Sequence, residues 1–221
     1  MGNYCVPDRE GVALLTLSAQ RDFLDPASPV KAHGGERARP ALRRLVEGFR
    51  AHGNPIFHAV RLYRPDGSNV DACRRQAVEE GQRYLMPGSL GSELLDELKP
   101  EPSVRLNPDC LLSGRMQRLG AQEWAFYRPR WGAFHETGLE QQLSKLGIST
   151  LVICGLSFAT GTRATVYEAS ARDFRTVVVT DALASATEEG IRELGRMEVY
   201  LMTAESCLAW LNNGRSPSAA A

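Results

Sequence analysis

Apolar residues follow two alternating patterns along the chain. Continuous apolar runs, such as 12–17, are typical of strands that are covered on both faces of a sheet. The segment 37–52 instead repeats its apolar residues every three or four positions, which predicts an amphipathic helix that Gly53 ends. The same patterns predict further strands over 55–60, 124–127, 150–154, 175–180 and 198–202, and further helices over 136–146, 161–172 and 204–211.

This alternation of strand and helix predicts an α/β fold. We expect a single-domain parallel (Rossmann-like) sheet of about five or six strands with helices on both faces. In such sheets, ligands bind at the carboxyl ends of the strands, where the strand order reverses. The sequence places those ends at 18–23, 61–66, 128–134 and 157–163.

The region 63–122 interrupts the alternation and is rich in Pro, Gly, Asp and Arg. We interpret it as an ordered insertion with two short helices, over about 69–81 and 89–98. The domain then extends over 11–213, after an N-terminal arm at 1–10 and before a tail at 214–221 that is predicted to be disordered.

The insertion contains four apolar or aromatic residues that we expect to be exposed, namely Tyr84, Leu85, Met86 and Leu90. Exposed patches of this kind mark interfaces, so the chain is expected to form a homo-oligomer, either a dimer or a tetramer. The alternative is that the insertion packs over the mouth of its own site.

Composition narrows the classes of function and the compartment. A chain of 221 residues with a formal net charge of zero can bury one sizeable core and has no overall field that favours nucleic acid or an anionic membrane. The five cysteines are scattered without metal-ligand spacing, which favours reduced thiols in a cytoplasmic protein. No apolar run is long enough for a membrane span, and no signal peptide is recognised.

The segment 152–165 combines a buried strand, a tight turn at Gly155 and a helix that begins near Thr160. Such a junction directs backbone N–H groups and the positive end of a helix dipole at whatever lies before it. A hydrolase would place its nucleophile there. This chain has Gly161 at that position, where open space and N–H groups suit an anionic ligand.

Several motifs together resemble the isochorismatase-like (cysteine hydrolase) superfamily over about residues 11–211. They are SAQRDF at 18–23, RPRWGAF at 128–134, the turn and helix at 155–165, and TDA at 180–182. The resemblance implies a catalytic Cys at the helix start, an Asp at the end of the first strand and a Lys after the third strand. It also implies a cis peptide bond between Leu156 and Ser157.

All three catalytic positions of that family are substituted in this chain, by Ser18, Arg128 and Gly161. Ser18 has no pKa suited to proton transfer at neutral pH, Arg128 keeps a positive charge without releasing a proton, and Gly161 has no thiol. The resemblance therefore implies a divergent member without a cysteine nucleophile. Cys154, inside the preceding strand, is interpreted as a buried core thiol.

Other residues near the predicted strand ends are candidates for binding or proton transfer. Asp22 is a candidate acid or base, although its position in the family favours bracing of the loop. The candidates for substrate binding are Gln20, Arg61, Tyr63, Arg130, Trp131, Phe134, Ser157 and Arg163. Three alternatives stay open: Gln20 braces the loop, Phe134 simply packs, and the arginines pair with Asp22, Asp66, Asp71 or Glu168.

No metal and no cofactor are expected, because the Asp/His metal set that nicotinamidase-type relatives carry after the second strand is not found. Three functions remain: a cysteine-independent enzyme or binding protein for a small polar or carboxylate-bearing metabolite, a catalytically inactive partner subunit, or an ordinary family hydrolase with another residue recruited. The first covers hydrolase, lyase or rearrangement chemistry. An open polar pocket favours the first function, and a pocket blocked by Trp131 or Tyr63 favours the second.

Overall fold

Seven strands form one sheet in the computed structural model, which describes residues 4–213. Their order is β3-β4-β2-β1-β5-β6-β7, and all neighbours are parallel except β3 and β4. The strands are β1 Val12–Leu17, β2 Ile56–Val60, β3 Gln117–Gly120, β4 Glu123–Tyr127, β5 Thr150–Gly155, β6 Arg175–Leu183 and β7 Tyr200–Met202. The predicted α/β class is confirmed. The antiparallel edge strand β3 was not among the predicted strands.

Helices cover both faces of this sheet. They are α1 Gly35–Ala51, α2 Ala72–Glu79, α3 Pro108–Leu112, α4 Leu139–Lys145, α5 Arg163–Ser170, α6 Glu188–Gly195 and α7 Ala204–Asn213. On one face, Val12 and Leu14 of β1 join a buried cluster with α1 and α7. On the other face, Leu15 and Leu17 join a cluster with α4, α5 and α6. Because alternate residues of a strand point to opposite faces, β1 is apolar throughout.

The strand order reverses at β1. From β1 the chain moves outward through β2 to β4 and then returns to β5 on the other side of β1. A crevice therefore opens at the carboxyl ends of β1 and β5. Gly155 ends β5 with φ of +139°, and a Cβ at this position would overlap the backbone of Leu17. Only glycine allows the two strand ends to come this close.

The insertion is ordered differently from the prediction. A helix over 89–98 is wrong: Leu94 forms a β-bridge with Gln20, and the N–H of Leu95 donates to the carbonyl of Ala19 at 3.1 Å. Only a short 3-10 turn, Asp96–Leu98, remains of it. The backbone there pairs with the loop after β1, so it cannot pair with itself in a helix.

Two of the four insertion residues that were expected to be exposed are buried instead. Tyr84 and Leu85 belong to the core, whereas Leu90 is 68% exposed. The argument for a homo-oligomer therefore loses two of its four residues, and the insertion packs partly on its own domain. Among residues 4–213, no helix is long and apolar enough to cross a membrane. The tail at 214–221 lies outside the described residues.

A buried polar network ties the central strands to α1. Thr16 Oγ1 lies 2.8 Å from His58 Nδ1, and His58 Nε2 lies 2.9 Å from Glu123 Oε1. Arg50 of α1 donates to both carboxylate oxygens of Glu123 at 2.9 Å. Burial acts to raise the pKa of Glu123, but hydrogen bonds from His58 and Arg50 outweigh it and lower the pKa overall. The charged carboxylate therefore stabilises the fold.

Candidate functional site

The turn after β5 forms one wall of the crevice. A single π-helical turn, Phe158–Thr162, leads into α5, and the side chain of Ser157 caps it. Ser157 Oγ accepts from the N–H of Gly161 at 3.1 Å, and Ser157 O accepts from the N–H of Thr162 at 2.9 Å. Free N–H groups were expected at this helix start. Those of Gly161 and Thr162 are not free, because Ser157 accepts a hydrogen bond from each. The chain from residue 4 to 213 contains no cis peptide bond, so the cis bond expected before Ser157 is wrong.

Arg128 crosses the crevice from the end of β4. Its Nη2 donates to Ser18 Oγ at 2.6 Å, and Nη1 donates to the carbonyls of Arg130, at 3.0 Å, and Trp131. Ser18 directly follows β1 with φ of +56° and is fully buried. The structure thus brings together Ser18, Arg128 and Gly161, the three residues that the sequence predicted to converge on one cleft.

The space in front of Gly161 is filled. A Cβ built on Gly161 would lie 2.6 Å from Ser157 Oγ and 3.0 Å from Arg128 Nη2. The guanidinium and the hydroxyl therefore occupy the region that a side chain at 161 would need. A thiol cannot be accommodated there without movement of both neighbours.

Gly161→Cys is expected to lower the free energy of unfolding by about 1–3 kcal/mol, because the new side chain overpacks a closed site. Ser157→Ala removes both the nearer contact and the cap, so the added cost of Gly161→Cys is expected to be smaller in the Ser157→Ala background than in the wild type. Urea denaturation of these variants measures the effect. A Gly161→Cys variant as stable as the wild type would contradict the description of this space as filled.

A second buried cluster lies beside Arg128. Arg61 pairs with Asp71, and its Nη1 donates to the carbonyls of Arg128 at 3.0 Å and Arg130 at 2.6 Å. Tyr63 donates from its hydroxyl to Asp71 Oδ2 at 2.8 Å. Burial acts to lower the pKa of Arg61, but Tyr63 and Asp71 more than offset it, and the pKa rises overall. Arg61 and Tyr63, both predicted to bind substrate, are buried here: Arg61 holds the loop after β4, and Tyr63 bonds to Asp71.

Gln20 and Asp22 also serve the scaffold. The amide of Gln20 is fully buried, donates to the carbonyls of Arg61 and Ser92, and accepts from the N–H of Arg61 at 2.8 Å. Asp22 Oδ2 accepts from the N–H of Leu85. These contacts support the alternative in which Gln20 and Asp22 brace the insertion against the end of β1.

Phe134 and Arg163 are occupied elsewhere. Phe134 is 5% exposed and packs against Phe174, while its N–H donates to Glu168 Oε2 at 2.8 Å. Arg163, the first residue of α5, donates to Glu193 Oε2 at 2.6 Å. The ring of Phe134 therefore lies in the core, and the guanidinium of Arg163 has a surface carboxylate as its partner; these contacts support the alternatives of packing and ion pairing.

A groove of about 520 Å³ opens beside the substituted cleft. It is lined by Asp71, Ala72, Cys73, Arg130, Trp131, Gly132, His135 and Glu168. Two of these, Arg130 and Trp131, were predicted as binding residues, and Trp131 is 45% exposed. The backbone of these same two residues separates the groove from the guanidinium of Arg128. Trp131 borders the groove and leaves it open.

The sequence did not single out Asp71, Cys73 or His135 as groove residues. Asp71 is the residue directly before α2, and such a helix-start position was a usable signal. Cys73 and His135 are exposed and belong to segments whose relative placement only the fold defines. Within residues 4–213, no three His, Cys, Asp or Glu side chains are grouped so that they could hold a metal ion.

Cys154 and Cys207 are core residues, as the position of Cys154 in its strand predicted. Both are fully buried, and burial raises the pKa of both thiols, that of Cys207 to about 12. Neither forms a thiolate near neutral pH, so neither replaces the missing nucleophile.

The fold and the three substituted positions can be compared with known proteins. The model of the isochorismatase domain matches residues 12–207. The chain belongs to the isochorismatase family. A protein of Arabidopsis thaliana named "Probable inactive nicotinamidase" is 30% identical over 80% of this chain and 82% of its own length. An uncharacterised isochorismatase family protein of Escherichia coli O157:H7 is 42% identical over 80% of this chain and 81% of its own.

A solved structure shares the architecture. The isochorismatase family protein from Desulfovibrio vulgaris subsp. vulgaris str. Hildenborough superposes with a TM-score of 0.77 at 27% identity, over 91% of this chain and 98% of that chain. The strand order and the position of the crevice at β1 and β5 are therefore those of an isochorismatase-like domain.

Proposed function

We propose that this isochorismatase-family protein binds, or acts on, a small polar or carboxylate-bearing metabolite without a cysteine nucleophile. The observation that carries the proposal is the open groove next to the substituted cleft. Its lining combines the exposed ring of Trp131 with polar and charged side chains, including Arg130, His135 and Glu168. A concave site with an aromatic wall and a few converging polar groups is the usual form of a small-molecule site.

The chemistry available in the groove differs from the family's thiol chemistry. Gly161 has no nucleophile, Ser18 Oγ accepts its hydrogen bond from a cation and not from a base, and Arg128 supplies positive charge without a transferable proton. Proton transfer would fall to groups that line the groove, namely His135, Glu168 or Asp71. The reaction classes that need no covalent thiol are hydrolysis by activated water, elimination and rearrangement.

A second candidate is a catalytically inactive protein that serves as a binding or partner subunit. The observation that favours it is the burial of Ser18 and Arg128 together with the filled space before Gly161. The similarity to the Arabidopsis protein named as a probable inactive nicotinamidase supports the same candidate. Only the first candidate allows turnover of a substrate. Neither candidate uses a thiol for catalysis.

A panel of small carboxylates with their matched amides and alcohols tests the proposal. Binding is followed through the indole N–H resonance of Trp131, with the buried Trp210 as an internal reference. We expect a carboxylate-bearing compound to shift Trp131 and leave Trp210 unchanged. Mass spectrometry of each incubation then shows whether the compound is converted, which distinguishes an enzyme from a binding protein. If no compound perturbs Trp131, the groove is not a ligand site.

Cys73 offers a direct test of thiol independence because it lines the groove and is exposed. Cys73→Ser keeps the shape of the groove and removes the nucleophilic sulfur. Any turnover found in the panel is expected to survive this substitution, because the proposed chemistry forms no bond to sulfur. Complete loss of turnover in a folded Cys73→Ser protein would assign the reaction to a relocated thiol and contradict the proposal.

A further inference from the structure

Arg128 carries a buried positive charge that the described residues do not neutralise. Its side chain is 2% exposed, and among residues 4–213 no carboxylate lies within ion-pair distance of it. The neighbouring carboxylate, Asp71, is paired with Arg61. Two guanidinium groups and one carboxylate leave one positive charge in this buried cluster. A buried charge without a carboxylate partner destabilises the folded protein, so an anion bound to Arg128 would stabilise it.

The surroundings of Arg128 act against its charge without removing it. Burial, and next the repulsion by Arg61, lower the pKa of Arg128 to about 9. The guanidinium therefore remains protonated near neutral pH. The charged and titratable groups that act on it are Arg61, Tyr63, Asp71 and Arg74.

Two of the five N–H donors of Arg128 find no acceptor among the residues that the structure describes. Three donors bind Ser18 Oγ and the carbonyls of Arg130 and Trp131. Nε is buried and has no hydrogen-bond partner. Since Nη2 makes a single hydrogen bond, one of its hydrogens is also unused. The guanidinium therefore keeps donors free, and planar pairs of such donors match the two oxygens of a carboxylate.

Thr162 provides a second buried polar atom that has no hydrogen-bond partner among the described residues. Its side chain is fully buried, and Oγ1 has no hydrogen-bond partner. Thr162 directly follows Gly161, whose Cβ position would lie 3.0 Å from Arg128 Nη2. Buried polar atoms in folded proteins nearly always have partners. Two such atoms, one on the Arg128 cation and one on the residue after Gly161, motivate the proposal that follows.

We propose that Arg128, with Thr162 beside it, binds one carboxylate group of the ligand. This inference rests on the proposed function and narrows it, because it requires a ligand with a negative charge that neutral amides lack. In this proposal the carboxylate binds the Nε and Nη2 donors, because both hydrogens of Nη1 are already bound by the carbonyls of Arg130 and Trp131. Entry from the groove requires the segment 130–131 to move, and the exposed ring of Trp131 on that segment borders the groove.

Formate and acetate are the probes for this inference, with formamide and acetamide as neutral isosteres. The wild-type protein is titrated at constant ionic strength with sodium chloride as the balancing salt, because screening alone must not produce the signal. The readout is the side-chain Nε–Hε resonance of Arg128, assigned from its absence in Arg128→Lys. We expect a saturable shift of this resonance with formate or acetate and no saturable shift with the amides.

Three variants measure how much each side chain contributes to acetate binding. Arg128→Gln is expected to weaken acetate binding by at least about tenfold, the size of a lost charge-assisted hydrogen bond. Thr162→Val keeps the side-chain shape and is expected to weaken binding by about fivefold, as for one neutral hydrogen bond. Arg163→Gln is the matched control, since Arg163 already pairs with Glu193, and it is expected to bind as the wild type does. Where Arg128→Gln does not fold, the wild-type resonance still decides the question.

The possible failures are distinguishable. If a ligand shifts Trp131 while the Arg128 resonance stays fixed, the groove binds ligands but the carboxylate site is overturned. Equal binding of acetamide and acetate would also overturn it, because charge would then play no part. If neither resonance responds to any probe, both the inference and the proposed function fail.

Discussion

Gly155→Ala is expected to lower the free energy of unfolding by about 3 kcal/mol or more, through backbone strain added to a steric overlap. Gly155 has φ of +139°, a conformation that side chains oppose, and its Cβ would lie 2.7 Å from the N of Leu17 and closer still to the carbonyl oxygen. Both clashing atoms are backbone of the central strand β1, so neither can move without disturbing the sheet. Equilibrium urea denaturation measures the change.

Gly147→Ala is the matched control for this substitution. Gly147 also has positive φ, +68°, but its Cβ would meet no atom within 4 Å. We expect a smaller loss of about 1 kcal/mol, which is the backbone penalty alone. Equal losses in the two variants would show that the contact between β1 and β5 is looser than described.

Glu123→Gln is the second substitution with a large expected effect, about 3 kcal/mol at neutral pH. Glu123 is 2% exposed and accepts from His58 and from both donors of Arg50 that face it. Removal of the charge leaves His58 and Arg50 without the carboxylate that both of them contact. The exposed ion pair of Glu189 with Arg192 gives the control, because Glu189→Gln is expected to cost less than 1 kcal/mol.

The same network predicts a pH dependence with a definite sign. The pKa of Glu123 is lower in the folded state than in the unfolded chain, so the folded state binds fewer protons at this site. Its contribution to stability is fully present above the unfolded pKa of about 4.3 and is lost as the pH falls through the folded value. The unfolding free energy of the wild type should therefore fall more steeply below about pH 4.3 than that of Glu123→Gln. Parallel curves would assign the acid sensitivity to other carboxylates.

The central architecture could be predicted from the sequence because burial on both faces produces continuous apolar runs. β1, β2 and β5 are such runs, and the strands of the structure begin and end within a residue or so of the predicted bounds. β3 could not be found this way. Gln117–Gly120 is short and largely polar at the edge of the sheet, so it has neither an apolar run nor a clear alternation.

In the insertion, hydrogen bonds to a distant segment override the structure that the local sequence pattern predicts. The segment 89–98 has apolar spacing compatible with a helix, yet its backbone pairs with Ala19 and Gln20 from the loop after β1. No local signal encodes a partner about seventy residues away in sequence. The helix α2 of the same region was predicted, because its pattern is satisfied within the helix itself.

The substituted cleft was located from motifs, but the role of each neighbour needed the fold. Ser18, Arg128 and Gly161 meet because their strands are ordered β4-β2-β1-β5. Arg61 and Tyr63 bond to Asp71, ten and eight residues later, a partner that only the fold reveals. Phe134 joins the core because α5 and Phe174 pack against it, a contact between segments about forty residues apart.

A crystal structure of the protein with the tightest compound from the carboxylate panel tests the central claim most directly. We predict that the compound lies in the groove between Trp131 and Asp71, with no bond to any sulfur atom. A compound covalently attached to one of the five cysteines, or bound elsewhere on the molecule with the groove empty, would contradict the account.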